Sequence, residues 1–145
     1  MWLEITDKVI DLPGIFILKD NPITVGAWSV LPSTRMFALW IHRKRHTATF
    51  IRNSTPHGEK CTFSITDDLD LIRYCGQVSG RNTNKLEKVP TTVVDGYRYV
   101  SNSEYTIFLS IYYVQPIYKD FYLVMCQRDK ILNFKGGEPW IRINY

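Results

Sequence analysis

Ser79, Arg81 and Lys85 fall within one short stretch, Tyr74-Cys75-Gly76-Gln77-Val78-Ser79-Gly80-Arg81-Asn82-Thr83-Asn84-Lys85, where two glycines follow a helix-like run. A hydroxyl, a guanidinium and an ammonium group thus meet at one turn. Each donates hydrogen bonds and two carry positive charge, which suits a phosphate. Glycine has no Cβ and lets the backbone approach a ligand closely. The same residues also read as a plain helix end, with Gly76 as C-cap, Gly80 in a turn and a solvated basic edge, since short glycine-rich matches recur by chance.

The sharpest charge run is His42-Arg43-Lys44-Arg45-His46. Its two histidines are four apart and would share a helix face, as metal ligation sometimes requires. The only other histidine is His57, and no carboxylate cluster accompanies the pair, so a solvated basic turn is expected and no metal site. Cys61, Cys75 and Cys126 are far apart, odd in number and form no CxxC. Neither a zinc ribbon nor a disulfide scaffold follows, and all three read as buried, reduced thiols of a cytoplasmic protein. Asp67 and Asp68 read as helix-start residues rather than an acid–base pair.

The elements that must carry these residues are mostly strands. Ile15-Phe16-Ile17-Leu18 is a continuous apolar run, followed by the turn residues Lys19-Asp20-Asn21-Pro22. Residues 23–31 read as a second strand and 36–41 as a third, apolar on both faces as when both are covered. Pro22 cannot donate to a ladder and belongs at a strand start or edge. Thr47, Phe50 and Ile51 keep the i, i+3, i+4 spacing of a short helix. Cys61, Phe63 and Ile65 alternate on one face of a strand. Thr66 then offers an N-cap to a helix whose buried stripe is Leu69, Ile72 and Cys75. Asp95-Gly96 between Thr91-Thr92-Val93-Val94 and Tyr97-Arg98-Tyr99-Val100 is a strong hairpin signal. Strands are expected over 105–114 and 121–126, with an interruption near Pro116, and a terminal alternating strand over 140–145 after a Gly136-Gly137 turn.

A length of 145 residues with 45% hydrophobic and 22% charged residues describes one globular domain spanning 1–145, able to bury its own core. Nine Tyr, seven Phe and four Trp favour strands and flat apolar surfaces. No apolar run reaches membrane-spanning length, and no secretory leader pattern opens the chain. The formal charge of +4 fits an anionic ligand and is too small to argue for nucleic acid alone. Many short strands with two or three short helices give a mainly β architecture, a barrel with helical insertions.

The glycine stretch also resembles a known family. Cys75-Gly76, Ser79-Gly80-Arg81 and Lys85 are similar to the CG…SGRDxDK motif of the flavin reductase-like, FMN-binding split-barrel proteins (the flavoredoxin and pyridoxamine-phosphate-oxidase-like barrels). Upstream, Asn21-Pro22-Ile23-Thr24-Val25-Gly26-Ala27-Trp28 resembles the family's NxMTxxW strand. Arg45-His46-Thr47 with Phe50-Ile51 resembles its RYTxxxI segment. The three run in the right order over residues 14–88. Asn82 and Asn84 stand where the motif has two aspartates, the 88–105 segment is short, and Phe121 stands where many members carry histidine.

The resemblance implies a Greek-key split β-barrel, a homodimer, and non-covalent FMN near the subunit interface. It implies Thr24 and Ser29 from the second strand, Arg45 and Thr47 from the basic turn, and Ser79, Arg81 and Lys85 from the glycine stretch as FMN contacts. Trp28, otherwise a core residue, would flank the flavin ring. In such a reductase NADH or NADPH passes hydride to the flavin while the protein supplies position and electrostatics. Two alternatives stand beside this. One is a flavin-binding or interaction barrel without turnover. The other is a nucleic-acid-binding barrel, its aromatics stacking bases and its cations following the backbone, which the modest, local charge disfavours.

Overall fold

The computed structural model describes residues 13–31, 33–53 and 58–133. The Gly136-Gly137 turn and the 140–145 strand expected from the sequence lie outside the described residues. Ten elements of the fold position the site: β1 (Gly14–Leu18), β2 (Asn21–Val25), β3 (Trp28–Val30), β4 (Met36–His42), α1 (His46–Asn53), β5 (Lys60–Ile65), α2 (Leu69–Gln77), a 3-10 turn (Lys85–Glu87), β8 (Tyr105–Ile117) and β9 (Phe121–Asn133). The hairpin β6 (Thr91–Val94) and β7 (Tyr97–Val100) lies between the 3-10 turn and β8 as a separate two-stranded sheet.

Seven strands pair antiparallel in the order β2-β1-β5-β8-β9-β4-β3. Two strands consecutive in the chain, β2 and β3, therefore occupy opposite edges of the sheet. Only Gly26 and Ala27 join them, so the sheet must curl until its edges come together. That curl is the barrel. It also corrects the expected single strand over 23–31, which breaks at Gly26-Ala27 as the chain changes edge. Ala27 O accepts from Trp40 N at 3.0 Å, anchoring the crossing.

The apolar run of β1 is buried at every position. Phe16 and Leu18 enter the barrel core with Phe37, Leu39, Phe63, Leu109 and Val124. Ile15 and Ile17 face the other way, into a smaller cluster with Leu71 and Cys75 of α2, Val89 and Val100. Both sides of β1 are thus covered, which explains an unbroken rather than alternating apolar sequence. Pro22 sits second in β2, an edge strand, where its missing N–H costs no ladder bond.

Three local expectations shift. Asp68, not Thr66, caps α2, its Oδ1 accepting from Leu71 N at 3.1 Å, while Thr66 Oγ1 accepts from Asp68 N. The helix therefore begins later and turns a different stripe inward: Leu71 and Cys75 are buried, Ile72 is half-buried and Leu69 is 63% exposed. Nor does Pro116 interrupt β8, which runs on to Ile117 opposite Phe121, the break falling at the 118–120 turn. Asp95 and Gly96 take φ of 52° and 83°, the left-handed pair a two-residue hairpin turn requires. No helix among the described residues is long and apolar enough to cross a membrane.

Candidate functional site

Two features of the fold bring the basic run and the glycine stretch together. β4 ends at His42, so the run forms the turn into α1, and α2 ends at Gln77, so the glycine stretch leaves the helix beside edge strand β2. Between them lies a cavity of about 150 Å³ lined by Asn21 and Ile23 of β2, Lys44, Arg45 and His46 of the basic turn, and residues 76–81 with Lys85. Four cationic side chains and no carboxylate line it. Against the same wall, a second cavity of about 420 Å³ adds Lys19, Asp20, Phe50 and residues 82–84 to Asn21, His46, Gly80, Arg81 and Lys85.

The basic run is divided by the turn it makes. Arg43 points toward the β8–β9 hairpin: its backbone N–H donates to Asp120 O at 2.7 Å, Nη1 donates to Lys119 O at 3.0 Å, and the guanidinium lies 5.1 Å over the Tyr122 ring. His42 meets Phe121 edge to face at 5.1 Å. Lys44, Arg45 and His46 face the cavity instead. Among the described residues no three of His, Cys, Asp and Glu gather at one point.

Arg45 and Lys85 form the inner wall, and both are tied to backbone. Arg45 Nη1 donates to Thr24 O at 2.8 Å and Nη2 to Cys75 O at 3.3 Å. Lys85 is 2% exposed, and its Nζ donates to Pro22 O at 2.9 Å and Cys75 O at 3.1 Å. Cys75 lies in the last turn of α2, where helix carbonyls lack intrahelical partners and the dipole favours cations. That turn has no basic residue of its own, so Arg45 and Lys85 supply the charge from outside and bind α2 to β2. Burial lowers the pKa of both cations; for Lys85 the neighbouring Arg45 lowers it further, while Cys75 opposes the shift in each. Burial likewise pushes the Cys75 thiol up to about 11, against the pull of Lys85 and Arg45. Cys61, Cys75 and Cys126 are all free and buried.

Asn21 and Thr47 support the wall from behind. Asn21 Nδ2 donates to Thr47 Oγ1 at 2.9 Å, both side chains being buried. A Cβ on Gly80 would stand 2.2 Å from Asn21 Oδ1. Gly80 has no left-handed φ, so this position needs glycine for the close approach of the Asn21 amide, where the sequence alone pointed to approach by a ligand. Thr24 Oγ1 donates to Ile72 O at 2.5 Å, a further tie between β2 and α2. Ser79 Oγ accepts from Arg81 N at 3.2 Å and shapes the turn.

Of the eight residues singled out in the sequence, Arg45, Ser79, Arg81 and Lys85 line the smaller cavity. Thr24 and Thr47 stand directly behind it. Trp28 and Ser29 lie apart from it on β3: Trp28 stacks on Phe37 at 5.6 Å and 9° and meets Phe63 at 5.1 Å, and Ser29 pairs with Ala38. Lys44, His46 and Asn21 were missed. Lys44 and His46 flank Arg45 in the charge run, and Asn21 opens the NxMTxxW-like strand, so each had a sequence cue but no marker of which way it faced.

No sequence-family model matches the chain, and no curated protein matches it. Solved structures match its fold at low identity. An FMN-binding protein from Thermus thermophilus with bound p-hydroxybenzaldehyde is 18% identical, with 89% of this chain and 76% of that one covered and a TM-score of 0.77. Flavoredoxin from Methanosarcina acetivorans is 11% identical, with coverage of 86% and 69% and a TM-score of 0.75. The flavin reductase PheA2 is 14% identical, with coverage of 86% and 80% and a TM-score of 0.68. The curled seven-stranded sheet with its two helices is thus the split-barrel fold of flavin reductase-like, FMN-binding proteins.

Proposed function

We propose that this protein binds FMN and acts as a flavin reductase-like oxidoreductase, with NADH or NADPH as the hydride source. The observation that carries the reading is the cavity between the basic turn and residues 76–81, which is lined by cations and by no carboxylate, on this fold. A phosphate fits that donor set: Arg81 and Lys44 offer charge at the rim, and Arg45 and Lys85 add positive potential from behind. At about 150 Å³ the cavity suits a phosphate group and is smaller than the roughly 300–1,000 Å³ of pockets that enclose a whole ligand. The flavin ring would therefore rest outside it.

Bound flavin supplies the two-electron chemistry. The chain's part is to hold the phosphate end and fix the ring's position. A homodimer would complete the wall over the ring. Exposed Tyr112, Tyr113, Tyr118 and Phe121 on and beside the β8–β9 hairpin support that arrangement, because aromatics are enriched in contact surfaces. The three free, buried thiols are in keeping with a reducing, cytoplasmic setting.

A second reading, flavin binding without turnover, is favoured by Phe121, which stands where many members of the resembling family carry histidine. One experiment orders these. Purified protein is reconstituted with FMN and its absorbance recorded, and NADH or NADPH is then added without oxygen. Flavin peaks that bleach support the reductase. Peaks that persist leave the carrier, and a protein that takes up no FMN removes both.

A further inference from the structure

A phosphate in the smaller cavity and a flavin ring outside it leave the larger cavity without an occupant. That cavity measures about 420 Å³, within the roughly 300–1,000 Å³ of pockets that enclose a whole ligand. Arg81 and Lys85 line both cavities, so the two meet along one cationic wall. Beyond that wall the lining changes character, to half-buried Phe50 and to exposed Asn82, Thr83 and Asn84. Asp20 is the only carboxylate in the lining among the described residues, and Arg98 Nε sits 2.9 Å from its Oδ1. Lys19, beside it, pairs with Glu59 at 2.8 Å. Both residues of the turn between β1 and β2 are thereby fixed, and this part of the cavity is preformed.

Asn84 carries most of the chemical information. Its Oδ1 caps the 3-10 turn by accepting from Leu86 N at 3.1 Å. Aspartate would cap as well, so the cap does not account for an amide. The amide keeps a carboxylate out of the cavity and leaves Nδ2 as a donor. An asparagine amide, with donor and acceptor side by side, matches the edge of adenine. Hydroxyl and amide groups suit a ribose, and an aromatic side chain offers a base an apolar surface.

We propose that the larger cavity takes the adenosine 5′-phosphate end of a dinucleotide. Its phosphate meets Arg81 on the shared wall, and its base lies between Phe50 and the 82–84 turn. Binding of the adenylate end stands on the cavity alone, whereas its place in a dinucleotide rests on the flavin reading above. Two dinucleotides carry that end. One is FAD, whose second phosphate would sit across the shared wall from the first. The other is the NADH or NADPH that supplies hydride.

The direct probe is AMP, titrated into the intact chain and followed by the side-chain amide NMR signal of Asn84. AMP should saturate and shift that signal, and inorganic phosphate should leave it in place. No saturable AMP binding, saturation with the signal unmoved, or a shift that inorganic phosphate reproduces would each overturn the proposal. Asn84→Asp keeps the cap and adds a negative charge, so AMP affinity should fall about tenfold. An unchanged AMP affinity in that variant places the nucleotide elsewhere and overturns the site as well. Should the variant not fold, the wild-type amide shift decides. The source is read from two affinity ratios, FAD to FMN and NADH to reduced nicotinamide mononucleotide. A ratio above unity in the wild type that falls in Asn84→Asp identifies its dinucleotide. If neither ratio behaves so, the dinucleotide assignment fails. AMP binding without any uptake of flavin removes the flavin reading and leaves the adenylate site standing.

Discussion

Lys85 and Arg81 are four positions apart, carry the same charge and line the same cavity, yet they are placed in opposite ways. Lys85 is buried and spends its ammonium on the carbonyls of Pro22 and Cys75. Arg81 is exposed, and among the described residues its guanidinium has no hydrogen bond or ion pair. Arg45 and Lys44 repeat the contrast across the cavity, the first tied to Thr24 O and Cys75 O, the second exposed. The difference follows from what surrounds each cation. Where a helix end and an edge strand leave carbonyls unpaired, a nearby cation becomes part of the fold. Where they do not, its charge remains available to a ligand. The inner wall holds the cavity's shape and the rim meets the anion.

The largest expected effect tests the inner wall. Lys85→Met preserves length and apolar packing and removes two charge-assisted bonds. At about 1.5 kcal/mol each, unfolding free energy should fall by about 3 kcal/mol. FMN affinity of the folded fraction should change far less than stability. Denaturant unfolding beside flavin titration reads both. Unchanged stability with a large loss of FMN would move Lys85 to the rim and erase the distinction.

Next in size is the alkaline behaviour of Cys75. Its folded pKa of about 11 lies above the ordinary 9.0, so the folded state favours the neutral thiol. That contribution is complete below pH 9 and is lost as pH rises through 11, because the unfolded chain ionises first. Lys85 works in the other direction, its pKa being lowered by burial, so its share of stability grows as pH climbs. Cys75→Ala should therefore flatten the loss of stability between pH 9 and 11 by about 2 kcal/mol. Cys61, whose thiol burial also raises, leaves part of the slope in place. Identical wild-type and variant profiles would mean that burial does not hold Cys75 neutral.

How far the sequence revealed this arrangement depends on the residue. The apolar run at Ile15-Phe16-Ile17-Leu18, the Asp95-Gly96 turn and the helix over Thr47, Phe50 and Ile51 are local patterns, and the fold keeps each. The order of strands is not local. Nothing in Gly26-Ala27 itself says that the chain there crosses from one edge of a sheet to the other. The site was legible as a set of residue types and not as directions. Arg45, Ser79, Arg81 and Lys85 do meet at one cavity, but only the tertiary fold shows that Lys85 is enclosed by backbone. Trp28 was placed with the ligand by its position in a motif, and the fold stacks it on Phe37.

Gly80 sharpens the contrast at a smaller scale. A methyl there would meet Asn21 Oδ1, part of the support behind the inner wall. Gly80→Ala should cost about 1.5 kcal/mol of stability through overpacking. Asn21→Ala in the same chain should recover most of that cost by opening the space. A double-mutant cycle measures the coupling directly. If the two substitutions add without coupling, the glycine is not explained by Asn21, and approach by a ligand becomes its reason again.

Arg81 should show the smallest change in stability and the clearest change in binding. Its side chain is exposed, so Arg81→Gln removes charge without breaking a packed contact, and unfolding free energy should stay within about 0.5 kcal/mol of wild type. The same substitution takes a cation from a cavity with no carboxylate to compensate. FMN affinity should fall about tenfold, as for the loss of one charge-assisted contact. Riboflavin, which lacks the phosphate, should bind the variant as it binds the wild type. Added salt should narrow the difference for FMN, because an exposed charge is screened within about 10 Å at 0.1 M ionic strength, whereas the defect of Lys85→Met should persist. Salt response thus separates a binding defect at the rim from a stability defect at the inner wall. Equal losses for FMN and riboflavin in Arg81→Gln would place this guanidinium on the ring rather than the phosphate, and the rim would then have to be redrawn around Lys44 and His46.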